Sequence, residues 1–148
     1  MAWWDKIGLG RSVTRATLVL AAATTAIFTV AGGRVLITNV VGVITTLIGG
    51  VANYYLQHNP TVATSTTTAL CTPLNINAYP VGDLLGITGV PTDAMVPGAA
   101  AGVLPGMTVP VVLPVGNVEA VCDAAPGGAV QWSIWYKPLD NAGYVVAA

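Results

Sequence analysis

The sequence predicts an all-β protein, an antiparallel β-sandwich or jelly-roll-like barrel with a short N-terminal arm, and three observations lead there. From Ala16 onward, short apolar or threonine-rich runs alternate with Gly, Pro and Asn, the rhythm of many strands joined by frequent turns. The long apolar runs are dominated by β-branched residues, whose stiff χ1 favours pleated backbone. The run Ala129 to Tyr136 alternates strictly, so that Val130, Trp132, Ile134 and Tyr136 share a core face while Gln131, Ser133, Trp135 and Lys137 share the other.

Taken in chain order, residues 1–14 read as an arm and residues 15–148 as one sandwich domain. The arm combines Trp3, Trp4, Lys6, Ile7, Leu9 and Arg11 in a run too short for a stable isolated helix. Strands are expected near Thr17–Leu20, Ala26–Val30, Arg34–Asn39, Val41–Leu47, Ala52–Gln57 and Val62–Leu70, where Thr64 to Thr68 suit an exposed strand. Others are expected near Leu84–Thr88, Val109–Leu113, Val118–Cys122, Ala129–Tyr136 and Tyr144–Ala147. The stretch Pro91 to Pro114 holds five prolines at 91, 97, 105, 110 and 114, which interrupt ladder pairing, and is expected to be a long loop. Its Met95, Val96, Val103, Leu104 and Met107 fit contact with a partner chain better than free disorder.

Composition bounds function. The chain has 148 residues, enough for one core without staples. Charged residues make up only 7% of it, against about 25% in an ordinary soluble domain. Hydrophobic residues reach 54% and mean hydropathy is +0.72, so lipid or other protein chains must take surface that water normally takes. The net charge of −1 and the few scattered basic residues offer no stripe for phosphate, which argues against nucleic acid. Between Arg34 and Asp83 no Asp, Glu, Lys or Arg occurs, a long stretch to leave uncharged unless an assembly buries it.

A membrane protein is the main competing reading. The apolar run Leu18 to Ala31 is shorter than the about 20 residues a spanning helix needs. Val35 to Leu56 is long enough, but its Val, Ile and Thr content reads as strands with a Gly-Gly reversal.

Searches for chemistry return little. The single histidine, His58, lies in Gln57-His58-Asn59-Pro60, a turn signal that predicts a solvated or hydrogen-bonded loop side chain. Cys71 and Cys122 lack the close-spaced pairing of a zinc site and read as buried small hydrophobes. Glu119 and Asp123 superficially resemble a glycosidase carboxylate pair; without a groove of aromatics they read as solvated edge charges. The glycine pairs lack a phosphate-loop lysine and read as turns. No enzyme, metal, cofactor or small-molecule substrate is expected.

The segments Ile27-Phe28-Thr29-Val30-Ala31-Gly32-Gly33-Arg34-Val35 and Gly128-Ala129-Val130-Gln131-Trp132-Ser133-Ile134-Trp135-Tyr136-Lys137-Pro138-Leu139, with the Thr/Ala strand before them, resemble small virion proteins of tailed bacteriophages. The likeness runs from about Ala16 to the C-terminus and rests on turn-and-strand patterns. It implies a capsid decoration, or cement, protein on the virion surface: a β-rich homo-oligomer, often a trimer, that fastens the major capsid protein shell. Trp3, Trp4, Arg11, Arg15, Met95, Met107 and Trp135 are the expected interface residues, tryptophan and arginine being enriched at interface hot spots. A tail, connector or head-fibre component, a small integral membrane protein and a sugar-binding module are the alternatives.

Overall fold

The computed structural model describes residues 8–62, 64–98 and 102–148. Thirteen strands are present among them: β1 Arg11–Thr14, β2 Leu18–Val19, β3 Ala23–Ala31, β4 Val35–Thr46, β5 Ala52–Pro60, β6 Thr68–Ala69 and β7 Leu74–Ile76, then β8 Leu84–Gly86, β9 Val96–Gly98, β10 Val111–Leu113, β11 Gly116–Cys122, β12 Ala129–Pro138 and β13 Tyr144–Ala147. They form two antiparallel sheets. The first runs β1-β12-β4-β8-β9, with β2 also on β12 and β10 also on β4; the second runs β13-β3-β11-β5-β6, with β7 also on β5.

The chain weaves between the sheets, since β3, β5 and β11 belong to one and β4, β8 and β12 to the other. Four-strand rows β1-β12-β4-β8 and β3-β11-β5-β6 result, which is the interleaving of a jelly roll, with β13 added beside β3. No helix among the described residues is long and apolar enough to cross a membrane, and Val35 to Leu56, the stretch long enough to span, forms β4 and the start of β5.

Alternation builds the core. Val130, Trp132, Ile134 and Tyr136 of β12 are buried, as expected, against Ala52, Tyr54 and Leu56 of β5 and Val118, Ala120 and Cys122 of β11 within one continuous cluster. Each such aliphatic or aromatic side chain removed from water contributes on the order of 1.5–3 kcal/mol. Three register shifts interrupt the ladders, one where Ala129 and Val130 pass from Thr46 to Ile44 and two that change which residues face inward. In β4 the register passes from Asn39 opposite Trp135 to Ile37 opposite Tyr136, so Thr38 is an extra residue and both Val35, Ile37 and Val40, Ile44 face inward. The change of facing is why this one strand reads in the sequence as two. In β3 the extra residue is Ile27, which lets Ile27 and Phe28 both be buried.

Several expectations are revised. Arg11–Thr14, expected within the arm, pairs with Tyr136 to Ser133 as β1. Residues 1–7, including Trp3 and Trp4, lie outside the described residues. The threonine run contributes only Thr68–Ala69 to a ladder, because Thr64 to Thr67 are exposed and offer no apolar face to hold one. The proline-rich stretch carries two short strands, β9 paired with β8 and β10 paired with β4. Its residues Gly102 to Pro110 lie over the outer face of the first sheet: Leu104 packs on Gly86 and Gly98, and Met107 reaches Gly89.

Candidate functional site

The expected interface residues scatter. Trp135 is half-buried on the outer face of the first sheet, opposite Ser12 on β1 and Asn39 on β4. Asn39 Oδ1 accepts a hydrogen bond from the Met107 backbone N–H at 3.2 Å, so Trp135 and Met107 flank one side chain on that face. Arg11 is exposed but lies opposite Tyr136, on the other side of β1. Arg15 is half-buried; its Nη1 donates to the Ala16 carbonyl at 3.1 Å and its buried Nε has no hydrogen-bond partner. Met95 is 1% exposed and packed in the core, so it is not a surface contact. The bridge between Thr72 and Ala94 and the bond from Met95 N–H to the Thr72 carbonyl draw this segment inward.

His58 departs furthest from expectation. It is not a loop residue but the fourth inward position of β5, after Ala52, Tyr54 and Leu56, and it is 4% exposed. Both ring nitrogens are shielded from solvent, with the Pro114 and Asn117 backbone beside them. Burial lowers its pKa, opposed by the nearby backbone of Pro114 and Asn117 and by the Glu119 carboxylate, so the neutral ring is favoured. The ring lines a cleft of about 620 Å³ between the two sheets at one end of the sandwich. Leu70, Val111, Leu113 and Pro114 supply apolar wall, and Thr64, Ser65, Thr66 and Thr68 supply hydroxyls. None of the lining residues is Asp, Glu, Lys or Arg.

The outer face of the second sheet carries a polar network. Glu119, on central strand β11, is 8% exposed and accepts from Gln57 Nε2 at 2.6 Å and Asn59 Nδ2 at 3.1 Å, both on the neighbouring β5. Thr29 donates to Asn117 Oδ1 at 3.0 Å beside it. Asp123 instead is exposed and accepts from the backbone and side-chain nitrogens of Asn53, each at 2.7 Å, which lower its pKa. The two carboxylates expected as solvated edge charges are thus one buried and one exposed, each held by amides. Among the described residues no three His, Cys, Asp or Glu side chains gather as a metal ion would require.

Both cysteines are buried, as expected, and both are free thiols. Cys71 Sγ receives the Leu56 backbone N–H at 3.4 Å, and Cys122 Sγ donates to the Ala124 carbonyl at 3.1 Å.

Four exposed aliphatic side chains lie at the end of the sandwich away from His58, while Val62, Val103 and Val112 are as exposed elsewhere. Val19 follows Leu18 opposite Val130, Leu47 ends β4, Val51 precedes β5, and Val81 precedes Gly82, which bonds to Ile44. All four are more than half exposed, Val19 at 71% and Val81 at 61%. A sequence signal for this rim existed in the uncharged stretch from Arg34 to Asp83.

No protein-family model, curated protein or solved structure matches the chain. The fold defines a class, a charge-poor jelly-roll sandwich with exposed aliphatic side chains at one end and an uncharged cleft at the other.

Proposed function

We propose that this chain is a structural virion protein, a capsid decoration or cement protein that self-associates, as a trimer, and stabilises a shell of major capsid protein. The observation that carries the reading is the exposed aliphatic rim of Val19, Leu47, Val51 and Val81 on a domain with 7% charged residues. An ordinary monomer keeps such patches small and covers itself with charge, whereas a protein that works between other proteins buries them. Jelly-roll sandwiches are a recurrent architecture of capsid domains, and the segments resembling tailed-phage virion proteins form β3, the start of β4 and β12 at the heart of this sandwich. Each protomer bound across a seam adds contacts by mass action, and a trimer multiplies them.

Sedimentation of the purified chain in detergent-free buffer, followed by mixing with empty phage shells and co-sedimentation, tests this. A discrete oligomer that binds shells and raises their melting temperature is expected. A monomer that leaves shells unchanged overturns it, and a copy number of a few dozen per particle assigns it to a tail, connector or fibre instead.

A further inference from the structure

Among the described residues, the strands with a partner on one side only are β1, β2, β6, β7, β9, β10 and β13, and all but the last carry a feature that discourages further pairing. β2 and β6 are two residues long, β1 begins with the exposed Arg11, β7 follows Pro73, β9 contains Pro97 and β10 lies between Pro110 and Pro114. β13 is the exception. Its Tyr144-Val145-Val146-Ala147 is uncharged and free of proline, pairs with β3, and has no strand partner on its other edge among the described residues.

That edge presents a defined set of groups. The Ala148 N–H donates to the Ile27 carbonyl of β3 at 3.1 Å. Backbone groups of an antiparallel strand alternate sides, so Val146 and Tyr144 also turn theirs towards β3, while the N–H and C=O of Val145 and Ala147 turn to the free edge. Side chains alternate between faces as well. Val145 points inward and is 3% exposed, whereas Tyr144 and Val146 point outward and are 45% and 43% exposed. Unpaired backbone beside two exposed apolar side chains is a template for another strand.

A second copy supplies a strand that matches. Residues opposite one another in a ladder share a face, so outward residues must meet outward ones. Two β13 strands set antiparallel with Val145 opposite Val145 obey this rule. Tyr144 then lies opposite the second copy's Val146 at both ends of the contact, an aromatic and β-branched pair of the kind that stabilises sheets. The same register aims each Val145 N–H at the other Val145 carbonyl, and no charge on either strand opposes it.

We propose that β13 is an edge-to-edge contact between two copies of this chain, antiparallel about a two-fold axis at Val145, which makes their second sheets continuous. The contact does not rest on shell binding, and being two-fold it is separate from the trimer proposed above: it joins one oligomer to the next. Four residues a side make a weak contact alone, and repetition over an assembly multiplies it.

Sedimentation of the full chain over a concentration series should show a step that doubles the particle. Tyr144→Glu and Val146→Lys, both at exposed positions, should each weaken that step about tenfold while leaving the melting temperature of the isolated species unchanged. The double variant should recover it, since each Glu then faces a Lys across the axis. In the wild type, the Val145 and Ala147 amides should be protected from hydrogen exchange at high concentration and exchange freely on dilution. A doubling step unchanged in both single variants, or free exchange of those amides in the doubled species, would overturn the proposal. No doubling at any concentration, with the amides protected only when shells are added, would overturn the second copy in favour of a strand from the shell. A doubling step that persists in a chain unable to bind shells overturns the cement reading and upholds this contact.

Discussion

The indole Nε1–H of Trp132 donates to the Tyr54 hydroxyl at 2.9 Å, with ring centroids 6.1 Å apart and planes inclined at 41°. The bond joins β12 of one sheet to β5 of the other through the centre of the core, where both side chains are essentially inaccessible. Gly42, opposite Trp132 on β4, makes room for it: a Cβ there would stand 2.9 Å from the ring. Tyr54→Phe strands a buried donor and should cost about 1–3 kcal/mol. Gly42→Ala forces the ring aside and should cost a similar amount, about 1–3 kcal/mol. Urea unfolding monitored by tryptophan fluorescence checks both, a lower midpoint with unchanged slope being expected.

Arg34 and Asp140 clamp the β3–β4 turn to the β12–β13 turn. The Asp140 carboxylate accepts from the Arg34 backbone N–H at 2.7 Å and from its guanidinium at 3.0 and 2.9 Å. These bonds lower its pKa to about 2. Because the folded pKa lies below the unfolded one, the clamp stabilises the protein fully above about pH 4 and is lost as pH falls towards 2. Melting temperatures of the wild type and Asp140→Asn should therefore differ at neutral pH and converge between pH 4 and 2.

Glu119 holds Gln57 and Asn59 in fixed orientation on the second sheet. Glu119→Gln turns one acceptor into a donor that faces another donor, and should lower stability by about 1–3 kcal/mol. Glu119→Gln with Gln57→Glu exchanges the partners and should recover part of the loss. A double-mutant cycle by chemical denaturation measures it, and additive losses would count against coupling.

Burial pushes the Cys71 thiol up to about 11 and raises that of Cys122 in the same direction. Neither forms thiolate near neutrality, so both should resist a thiol reagent in the native protein at pH 8 and react completely in denaturant. Rapid native labelling of either would show that its strand opens locally.

Much of the architecture was legible because alternation has a direct physical cause. Side chains on a strand point alternately to the two faces, so the pattern at Val130 to Tyr136 identified a core face, and Tyr144 to Ala147 was bounded correctly. The same logic extended to Ala52, Tyr54 and Leu56 would have placed His58 inward, but the Asn-Pro turn signal beside it masked the continuing strand. Glu119 was hidden for another reason: its amide partners are 62 and 60 residues away in the chain.

By itself, then, the sequence determined the strand periodicity, the all-β class, the burial of the two cysteines and the scarcity of charge, all properties of neighbouring residues or of composition. Only the tertiary structure decided that Met95 is core, that Arg11–Thr14 is a strand, that Thr38 and Ile27 are bulged and that His58 faces an uncharged cleft. Those depend on register between distant strands, where one extra residue reverses which side chains meet the core and no local pattern records it.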